Sequence, residues 1–475
     1  MSGKTFDTIA AISTAVSESG IGMIRISGPC ALRAGDLLFC SPGGKKQLSQ
    51  VKSHTIHYGF VCDPDGRVID EVLVSVMRAP KTYTAEDTVE INCHGGVTVM
   101  KKILDAVLHL EQYPGCEEDV RVRAAEPGEF TKRAFLNGRI DLSRAEAVMD
   151  LIEAKNEYAL QNSVSQVRGA LYRKITGLRE RILYQIAHIE ASLDDPENLD
   201  FTPHLSEFRK ELSSWSGILM QMIQTSGDGR LAVEGIRTVI VGKPNAGKSS
   251  FLNLLLGEER AIVTEIAGTT RDLLTETVNL QGMTLLITDT AGIHETEDTV
   301  ERIGVERAKQ AVRDADLLLW IADSSVPLDE NDIRIASLLS GRRALVLLNK
   351  TDLEEKTSAE KVRRLTGSDK IPVLPFSAST GDGYEEFVRV LKDMFFHGKL
   401  SWNDEIVITN ARQKVLLEQA SESLCRVRES LDAGMSEDFF SIDLMSAYEA
   451  LGAIIGEEVG EDLVNEIFSR FCMGK

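Results

Sequence analysis

The residues with the clearest chemistry form a glycine-rich segment, 242–249, that fits the pattern G-x-x-x-x-G-K-[ST]. The apolar segment before it, 238–241, is typical of a strand, and a helical pattern begins after it, which is the context that a P-loop requires. Glycines there let backbone N–H groups close around phosphates at a helix N-terminus. The context disfavours the alternative, a strand–helix turn that binds no ligand. We therefore predict nucleotide contacts from Asn245, Ala246, Gly247, Lys248, Ser249 and Ser250.

A magnesium site is predicted beside these phosphate contacts. Lys248 is placed to reach the β- and γ-phosphates, and the Ser249 hydroxyl to ligate Mg²⁺. Asp289, at the end of a predicted strand, can hold Mg²⁺ through water, and the Gly292 N–H can sense the γ-phosphate. Segment 268–272 is typical of switch I, with Thr270 as the second Mg²⁺ ligand. The predicted contacts in these two regions are Thr264, Glu265, Ile266, Ala267, Gly268, Thr269, Thr270, Asp289, Thr290, Ala291 and Gly292.

Two further segments predict that the base is guanine. Asn-Lys-Thr-Asp at 349–352 follows a predicted strand, and the Asp352 carboxylate can accept hydrogen bonds from both N1–H and the 2-amino group of guanine. Adenine lacks that pair of donors, so the motif selects GTP over ATP. Each motif alone is weak, but four of them follow in order at strand ends, and open α/β sheets bind ligands at those ends. The predicted base contacts are Asn349, Lys350, Asp352, Ser377, Ala378 and Ser379.

The catalytic group is less obvious. Ile293 stands where Ras-like GTPases carry the glutamine that orients the attacking water. Glu301 is our candidate for that work, although most helix carboxylates are solvated surface charges. Asn245 is the second candidate, because its amide oxygen is a good ligand for a monovalent cation near the β-phosphate. Backbone carbonyls of Thr264 and Ile266, in a loop that ends at Thr269, would complete a cation cage; the alternative is that Asn245 only caps the P-loop turn.

The surrounding elements divide the chain into four segments. Strand patterns and a hairpin signal, Asp-Pro-Asp-Gly, precede residue 115, and helical spacing follows the His-Gly-Gly of 94–96. One apolar stripe at 164–193 predicts a long helix or a pair of helices; another helix is predicted for 205–224, with a turn at 226–229. Strands then alternate with helices to about residue 400, and the end is helical. We predict a mixed α/β and α fold. Its parts are an α/β domain (1–118), a helical domain in two pieces (119–230 and 401–475) and an inserted, doubly wound GTPase domain (231–400).

Composition limits the classes of function. The chain has 475 residues and a formal net charge of −20, which argues against nucleic-acid binding by a global positive field. Its seven scattered cysteines form no C-x-x-C pair, which favours a reducing compartment over a disulfide framework. No apolar run approaches about 18 residues, so no membrane span is predicted. We therefore expect a cytoplasmic protein.

A resemblance makes the prediction more specific. The whole chain resembles the MnmE (TrmE) family of tRNA modification GTPases. Outside the generic motifs, the resemblance rests on residues 21–28, 127–138 and 268–272 and on the final Phe-Cys-Met-Gly-Lys of 471–475. It implies an N-terminal domain similar to the folate-binding aminomethyltransferase fold, a homodimer formed through that domain, and K⁺ held by Asn245 and the switch I loop. It further implies modification of the wobble uridine of tRNA at carbon 5, together with MnmG, a partner that uses FAD and NADH.

The resemblance also implies a site for a tetrahydrofolate derivative, which would supply a one-carbon unit. The family's folate contacts map to Arg25, Glu90, Arg139 and Lys475, and the family places Cys472 near the folate, where it is our third candidate catalytic residue. Four of these residues also have a structural reading: a strand ion pair for Arg25, an outward strand position for Glu90, a local salt bridge to Asp141 for Arg139 and a small buried hydrophobe for Cys472. We interpret His94 as a turn residue.

Two other functions remain open. The chain could be a GTPase switch in ribosome assembly or signalling, without modification chemistry. It could also be a folate-dependent transferase whose GTPase domain is only regulatory. A pure switch has no reason to bind a formyl- or methylene-folate, so folate binding separates it from the first interpretation.

Overall fold

The protein is described by a computed structural model. The described residues are 7–44, 46–195, 204–258, 275–289, 311–368, 370–396, 407–457, 459–469, 471 and 474. The chain forms two compact units. The first consists of Met1–Met149, Gln166–Arg181 and Leu451–Lys475, and the second of Asp150–Ser165 and Ile182–Ala450.

The first unit contains a seven-stranded sheet in the order β3-β4-β5-β6-β2-β1-β7, antiparallel except for the β1–β7 pair. The hairpin signal is confirmed: Asp63 and Arg67 close the turn between β4 and β5, and the Asp63 carboxylate accepts from the Asp65 and Arg67 amides. A buried apolar cluster that includes Ile26, Val74 and Ile103 lies between the sheet and its helices. The strands are β1 Thr8–Ile12, β2 Ser19–Ser27, β3 Phe39–Cys40, β4 Thr55–Cys62, β5 Val68–Met77, β6 Thr88–Gly95 and β7 Val122–Ala124, and the helices are α1 Ala31–Leu38, α2 Val97–Leu108 and α3 Glu129–Leu136.

The next helices along the chain include the predicted apolar stripe and the helix predicted for 205–224. The stripe at 164–193 is a pair of helices that a break near Gly169 separates. The predicted turn at 226–229 is wrong, because the helix continues to Glu234. Its last turns bring Leu231 into a buried apolar cluster, which offsets the roughly 1 kcal/mol that a helical glycine costs relative to alanine. These helices are α4 Leu142–Glu153, α5 Glu157–Val167, α6 Ala170–Asp194 and α7 Leu205–Glu234.

The second unit contains a six-stranded sheet in the order β13-β12-β11-β8-β10-β9. All neighbours are parallel except β9 and β10, so the prediction of a mostly parallel sheet is confirmed. Adjacent residues of β8 enter different clusters, Ile240 one and Val241 the other, as a sheet covered on both faces requires. The strands are β8 Ile236–Val241, β9 Thr275–Leu280, β10 Met283–Asp289, β11 Leu317–Asp323, β12 Ala344–Asn349 and β13 Val373–Pro375.

The helices after the P-loop complete the mixed α/β and α fold class, which is confirmed. They are α8 Lys248–Glu258, α9 Glu330–Leu339, α10 Ala359–Thr366, α11 Tyr384–Phe396, α12 Ala411–Asp432, α13 Glu437–Ile455 and α14 Glu461–Ser469. Across the described ranges, no helix is both long and apolar enough to cross a membrane. The division into 1–118, 119–230, 231–400 and 401–475 stays a prediction.

Candidate functional site

The predicted P-loop joins β8 to α8, and its glycines are required by close backbone approaches. A Cβ atom on Gly242 would lie 2.4 Å from the Ile321 carbonyl oxygen, and one on Gly247 would lie 2.1 Å from Asn349 Nδ2. Gly247 also has a φ of +101°, which side chains rarely adopt. The loop can therefore fold tightly enough for its N–H groups to face a bound anion.

Asn349 connects the P-loop to the loop predicted to hold the base. Its Nδ2 donates to the Ala246 carbonyl over 2.8 Å, and its Oδ1 accepts from the Ala378 amide over 2.9 Å. The side chain is 2% exposed, so both bonds are shielded from water. Asn349 is thus a brace between two loops, and Asp352 is the residue of this motif that presents a carboxylate at the surface.

The Asp352 carboxylate is held in place by serine. The Ser377 hydroxyl donates to Asp352 Oδ1 over 2.6 Å and lies 2.9 Å from the Ser379 hydroxyl. The hydrogen bond from Ser377 holds the pKa of the Asp352 carboxyl below its usual range. An exposed, fully ionised carboxylate of fixed orientation suits the two N–H donors of guanine.

Lys350 pairs with a carboxylate that was not predicted from the sequence. It has a φ of +67°, and its Nζ lies 2.6 Å from Asp323 Oδ2 at the end of β11. Burial alone would raise the pKa of Asp323, but the hydrogen bonds from Lys350 and Ser325 outweigh it and hold the pKa below its usual value. The sequence offered one signal for this pair. Asp323 ends an apolar strand, and the next predicted strand along the chain carries the Asn-Lys motif.

Lys248 lies over the P-loop, where its Nζ donates to the carbonyl oxygens of Gly242 and Lys243, each over 2.8 Å. The loop itself is tied to α9, because Lys243 Nζ lies 2.7 Å from Asp332 and 3.0 Å from Asp329. Ser249 and Ser250 are exposed in the first turn of α8. This arrangement places the lysine and the predicted Mg²⁺ ligand Ser249 at the same helix N-terminus.

Asn245 is exposed and has a left-handed backbone, with a φ of +63°. Among the residues that the structure describes, its side chain makes no hydrogen bond. The capping bond of the structural alternative is thus not seen within those residues, and the role of Asn245 as a cation ligand stays a prediction.

Several predicted site residues lie outside the described residues: Thr264, Glu265, Ile266, Ala267, Gly268, Thr269, Thr270, Thr290, Ala291, Gly292, Glu301, Cys472 and Lys475. Asp289 ends β10, beside Ile240 of β8, so its backbone lies at the strand ends next to the P-loop.

The first unit brings together three of the residues implied as folate contacts. Arg25 on β2 and Glu90 on β6 are cross-strand neighbours, and Arg25 Nε lies 2.8 Å from Glu90 Oε1. The guanidinium groups of Arg25 and Arg139 lie 5.5 Å and 5.0 Å from the centre of the Tyr83 ring. Arg25 does form the strand ion pair of its structural reading, whereas Asp141 pairs with Arg144. Tyr83 was not predicted from the sequence, because no motif marks it.

The C-terminal tail also contacts this unit. Phe471 is buried against Phe468, with ring centres 5.0 Å apart, and Gly474 accepts a hydrogen bond from the Ser13 hydroxyl over 3.0 Å. A Cβ atom on Gly474 would lie 2.3 Å from the Ile12 carbonyl oxygen. The Ser13 amide N–H in turn donates to the carbonyl oxygen of Met23 on β2, the strand that carries Arg25. Gly474 is therefore docked beside the sheet that holds the arginine–glutamate pair.

Comparisons with known proteins cover nearly the whole chain. Residues 8–139 match the family model described as "GTP-binding protein TrmE N-terminus", and residues 142–472 match that described as "MnmE helical domain". The tRNA modification GTPase MnmE of Lachnoclostridium phytofermentans is 51% identical over 469 residues, which cover 99% of both chains. MnmE of Geobacillus kaustophilus is 47% identical over 474 residues, again with 99% of both chains covered. Among solved structures, an Era variant of Aquifex aeolicus bound to GDP and aluminium fluoride is 28% identical, with 39% of this chain and 65% of that chain covered and a TM-score of 0.27.

Proposed function

The chain belongs to the MnmE family of tRNA modification GTPases, and from this premise we propose a finer function. It is a cytoplasmic, K⁺-stimulated GTPase that acts with an FAD-dependent partner, MnmG. Together they add an aminomethyl or carboxymethylaminomethyl group to carbon 5 of the tRNA wobble uridine. A tetrahydrofolate derivative supplies the one-carbon unit.

The observation that carries this proposal is the group formed by Arg25, Glu90 and Arg139 around Tyr83. A carboxylate and guanidinium groups can exchange charge-assisted hydrogen bonds with the amide and amino groups of a pterin and with the carboxylates of its glutamate tail. None of these residues belongs to the nucleotide-binding motifs. A GTPase switch without modification chemistry has no need of such a site, so the group favours the modification function.

The nucleotide site binds and hydrolyses the GTP that the proposed modification requires. The P-loop backbone and Lys248 hold the phosphates, Ser249 ligates the Mg²⁺ that GTPases of this family use, and Asp352 selects guanine. Asn349 couples the phosphate loop to the base loop through two shielded hydrogen bonds. Bound GTP therefore meets a site whose two halves are already aligned.

A second copy of the chain is the proposed partner of an exposed face of the N-terminal sheet. Ile56 and Tyr58 on β4 and Leu73 on β5 are 67%, 50% and 49% exposed, and Tyr58 is the cross-strand neighbour of Leu73. Large apolar side chains grouped on one sheet face are typical of an interaction surface. This face supports the homodimer through the N-terminal domain.

Folate binding tests the proposal directly. We expect Arg139→Ala to weaken binding of 5-formyl-tetrahydrofolate roughly 10-fold or more, because a charge-assisted contact to the ligand is lost. GTP affinity should not change. Calorimetry with each ligand on the full-length protein measures both, and nucleoside analysis of tRNA from cells that carry only the variant should show less C5-modified wobble uridine.

The matched control is Arg67→Ala, which removes an arginine from the β4–β5 turn of the same unit. It should leave both affinities unchanged. No folate binding by the unmodified protein, together with normal wobble uridine in cells that lack it, would favour the switch in ribosome assembly or signalling.

Potassium dependence tests the catalytic part of the proposal. GTP turnover should be fast in K⁺, slow in Na⁺ at equal ionic strength, and steeper than linear in protein concentration if two GTPase domains close the cage. Asn245→Ala should remove the K⁺ preference and lower turnover in K⁺ roughly 10-fold or more. The substitution removes one ligand of the K⁺ ion, whose positive charge stabilises the transition state. Steady-state rates in the two salts provide the measurement.

Asn253→Ala, on the exposed face of α8, is the control and should keep the salt preference. Equal rates of the unmodified protein in the two salts would refute the cage, and Asn245 would then be a structural residue of the turn.

A further inference from the structure

We propose that Tyr83 is a binding residue of the folate site, and that its ring forms the surface on which the pterin packs. This inference rests on the proposed folate function and adds a residue to it. Tyr83 lies in the loop 78–87 between β5 and β6, and it is the one described residue whose ring contacts both Arg25 and Arg139.

The position of the ring is fixed at three points. Its hydroxyl lies 2.9 Å from the Thr131 hydroxyl on α3, and its backbone carbonyl accepts from Arg139 Nη1 over 2.8 Å. The side chain also packs against the buried apolar cluster that contains Phe130. Tyr83 is only partly buried, so part of the residue is exposed to solvent.

The loop that carries Tyr83 is tied down by buried polar contacts. The Thr84 hydroxyl lies 2.7 Å from the Ser27 hydroxyl, and Asn137 Nδ2 donates to the Thr84 carbonyl over 2.7 Å. The Glu86 carboxylate accepts from Ser27 over 2.8 Å and from Arg133 over 3.2 Å. A loop ordered before binding spares the ligand the entropic cost of ordering it.

The chemistry around the ring indicates which part of the ligand it meets. Glu90 lies against Arg25, one of the two arginines at the ring, and a carboxylate is the natural acceptor for the N–H donors of a pterin. A flat heterocycle held by those groups would lie close to an aromatic face, and stacking of such rings on aromatic side chains is a common binding mode. The two arginines keep positive charge beside the ring for the anionic end of the ligand.

Two substitutions separate a binding role from a structural one. Tyr83→Leu keeps an apolar side chain in the cluster but removes the aromatic face, and we expect a loss of affinity for 5-formyl-tetrahydrofolate of roughly 10-fold or more. Tyr83→Phe keeps the face and should bind within about threefold of the unmodified protein, because the lost hydroxyl contacts Thr131 and not the ligand. Calorimetry on the full-length protein measures the affinities, and thermal unfolding shows whether each variant is folded.

Tyr172→Leu is the matched control, because Tyr172 forms a similar ring contact in the same unit. The Arg144 guanidinium lies 4.9 Å from the centre of the Tyr172 ring. It should leave folate affinity unchanged. If the unmodified protein binds the folate and a folded Tyr83→Leu binds it equally well, the inference is overturned. If the unmodified protein itself does not bind, the proposed folate function fails instead.

Discussion

The Asp352→Asn variant is expected to lose most of its affinity for GTP and to bind xanthosine triphosphate instead. Guanine offers two N–H donors to the carboxylate, whereas an asparagine amide can accept only one of them and turns its own NH₂ group toward the other. Xanthine carries a carbonyl at C2, which accepts a hydrogen bond from that NH₂ group. A site built on such a pair rejects a mismatched ligand strongly, so we expect a reversal of preference on the order of 1,000-fold.

The Asp352→Asn substitution keeps the contact that orients the side chain. The oxygen that Ser377 contacts is retained as the amide oxygen, so the side chain can keep its orientation. Competition binding of the two triphosphates measures the change, and Asp393→Asn, an exposed aspartate on α11, is the control that should keep GTP. Unchanged GTP affinity in Asp352→Asn would remove Asp352 from base recognition.

The nucleotide site could be predicted from the sequence because its parts are local. The segment 242–249 and the Asn-Lys-Thr-Asp motif each lie within eight residues, at the end of an apolar strand, so neither required knowledge of distant contacts. What the motif could not predict was the role of Asn349 as a brace, since its bond to Ala246 spans 103 residues. Asp323 was missed for the same reason, because only the pairing of β11 with β12 brings it to Lys350.

The N-terminal site was implied by resemblance and not by pattern. Arg25 and Glu90 are 65 residues apart, and the register of β2 on β6 makes them neighbours. Tyr83 joins them through an irregular loop that no periodicity predicts. Local signals also failed where packing overrode them, as in α7, where the glycines at 227 and 229 predicted a turn but the helix continues to bring Leu231 into a buried cluster.

The Arg133→Met variant is expected to destabilise the N-terminal unit by about 3–5 kcal/mol, the usual cost of removing one partner from a buried ion pair. Arg133 is 1% exposed, and its guanidinium contacts Glu129, Glu86 and Asp7 at 3.0, 3.2 and 2.8 Å. Methionine has a similar length but no donors, so it leaves buried carboxylates without this partner. Hydrogen exchange at the amides of β1 and β2 in the full-length protein measures the loss for this unit alone.

The pH dependence distinguishes loss of charge from loss of packing. Burial alone would raise the pKa of Glu129, but hydrogen bonds from Arg123 and Arg133 hold it below its ordinary 4.5, and the pKa of Asp7 is likewise below 3.8 despite its partial burial. A depressed carboxyl pKa stabilises the fold fully above the ordinary value, and that contribution disappears as pH falls through the depressed one.

The difference between the unmodified protein and Arg133→Met should therefore be largest near neutral pH and shrink below about pH 4. Arg33→Met is the control in the same unit, because its 3.2 Å pair with Asp119 is exposed and should contribute about 1 kcal/mol or less. If the difference in stability between the unmodified protein and Arg133→Met stays constant from pH 7 to pH 3, the effect of the substitution is due to packing. The buried carboxylates would then not depend on Arg133 for their charge, and the loop that carries Tyr83 would be held by the Ser27 and Asn137 contacts.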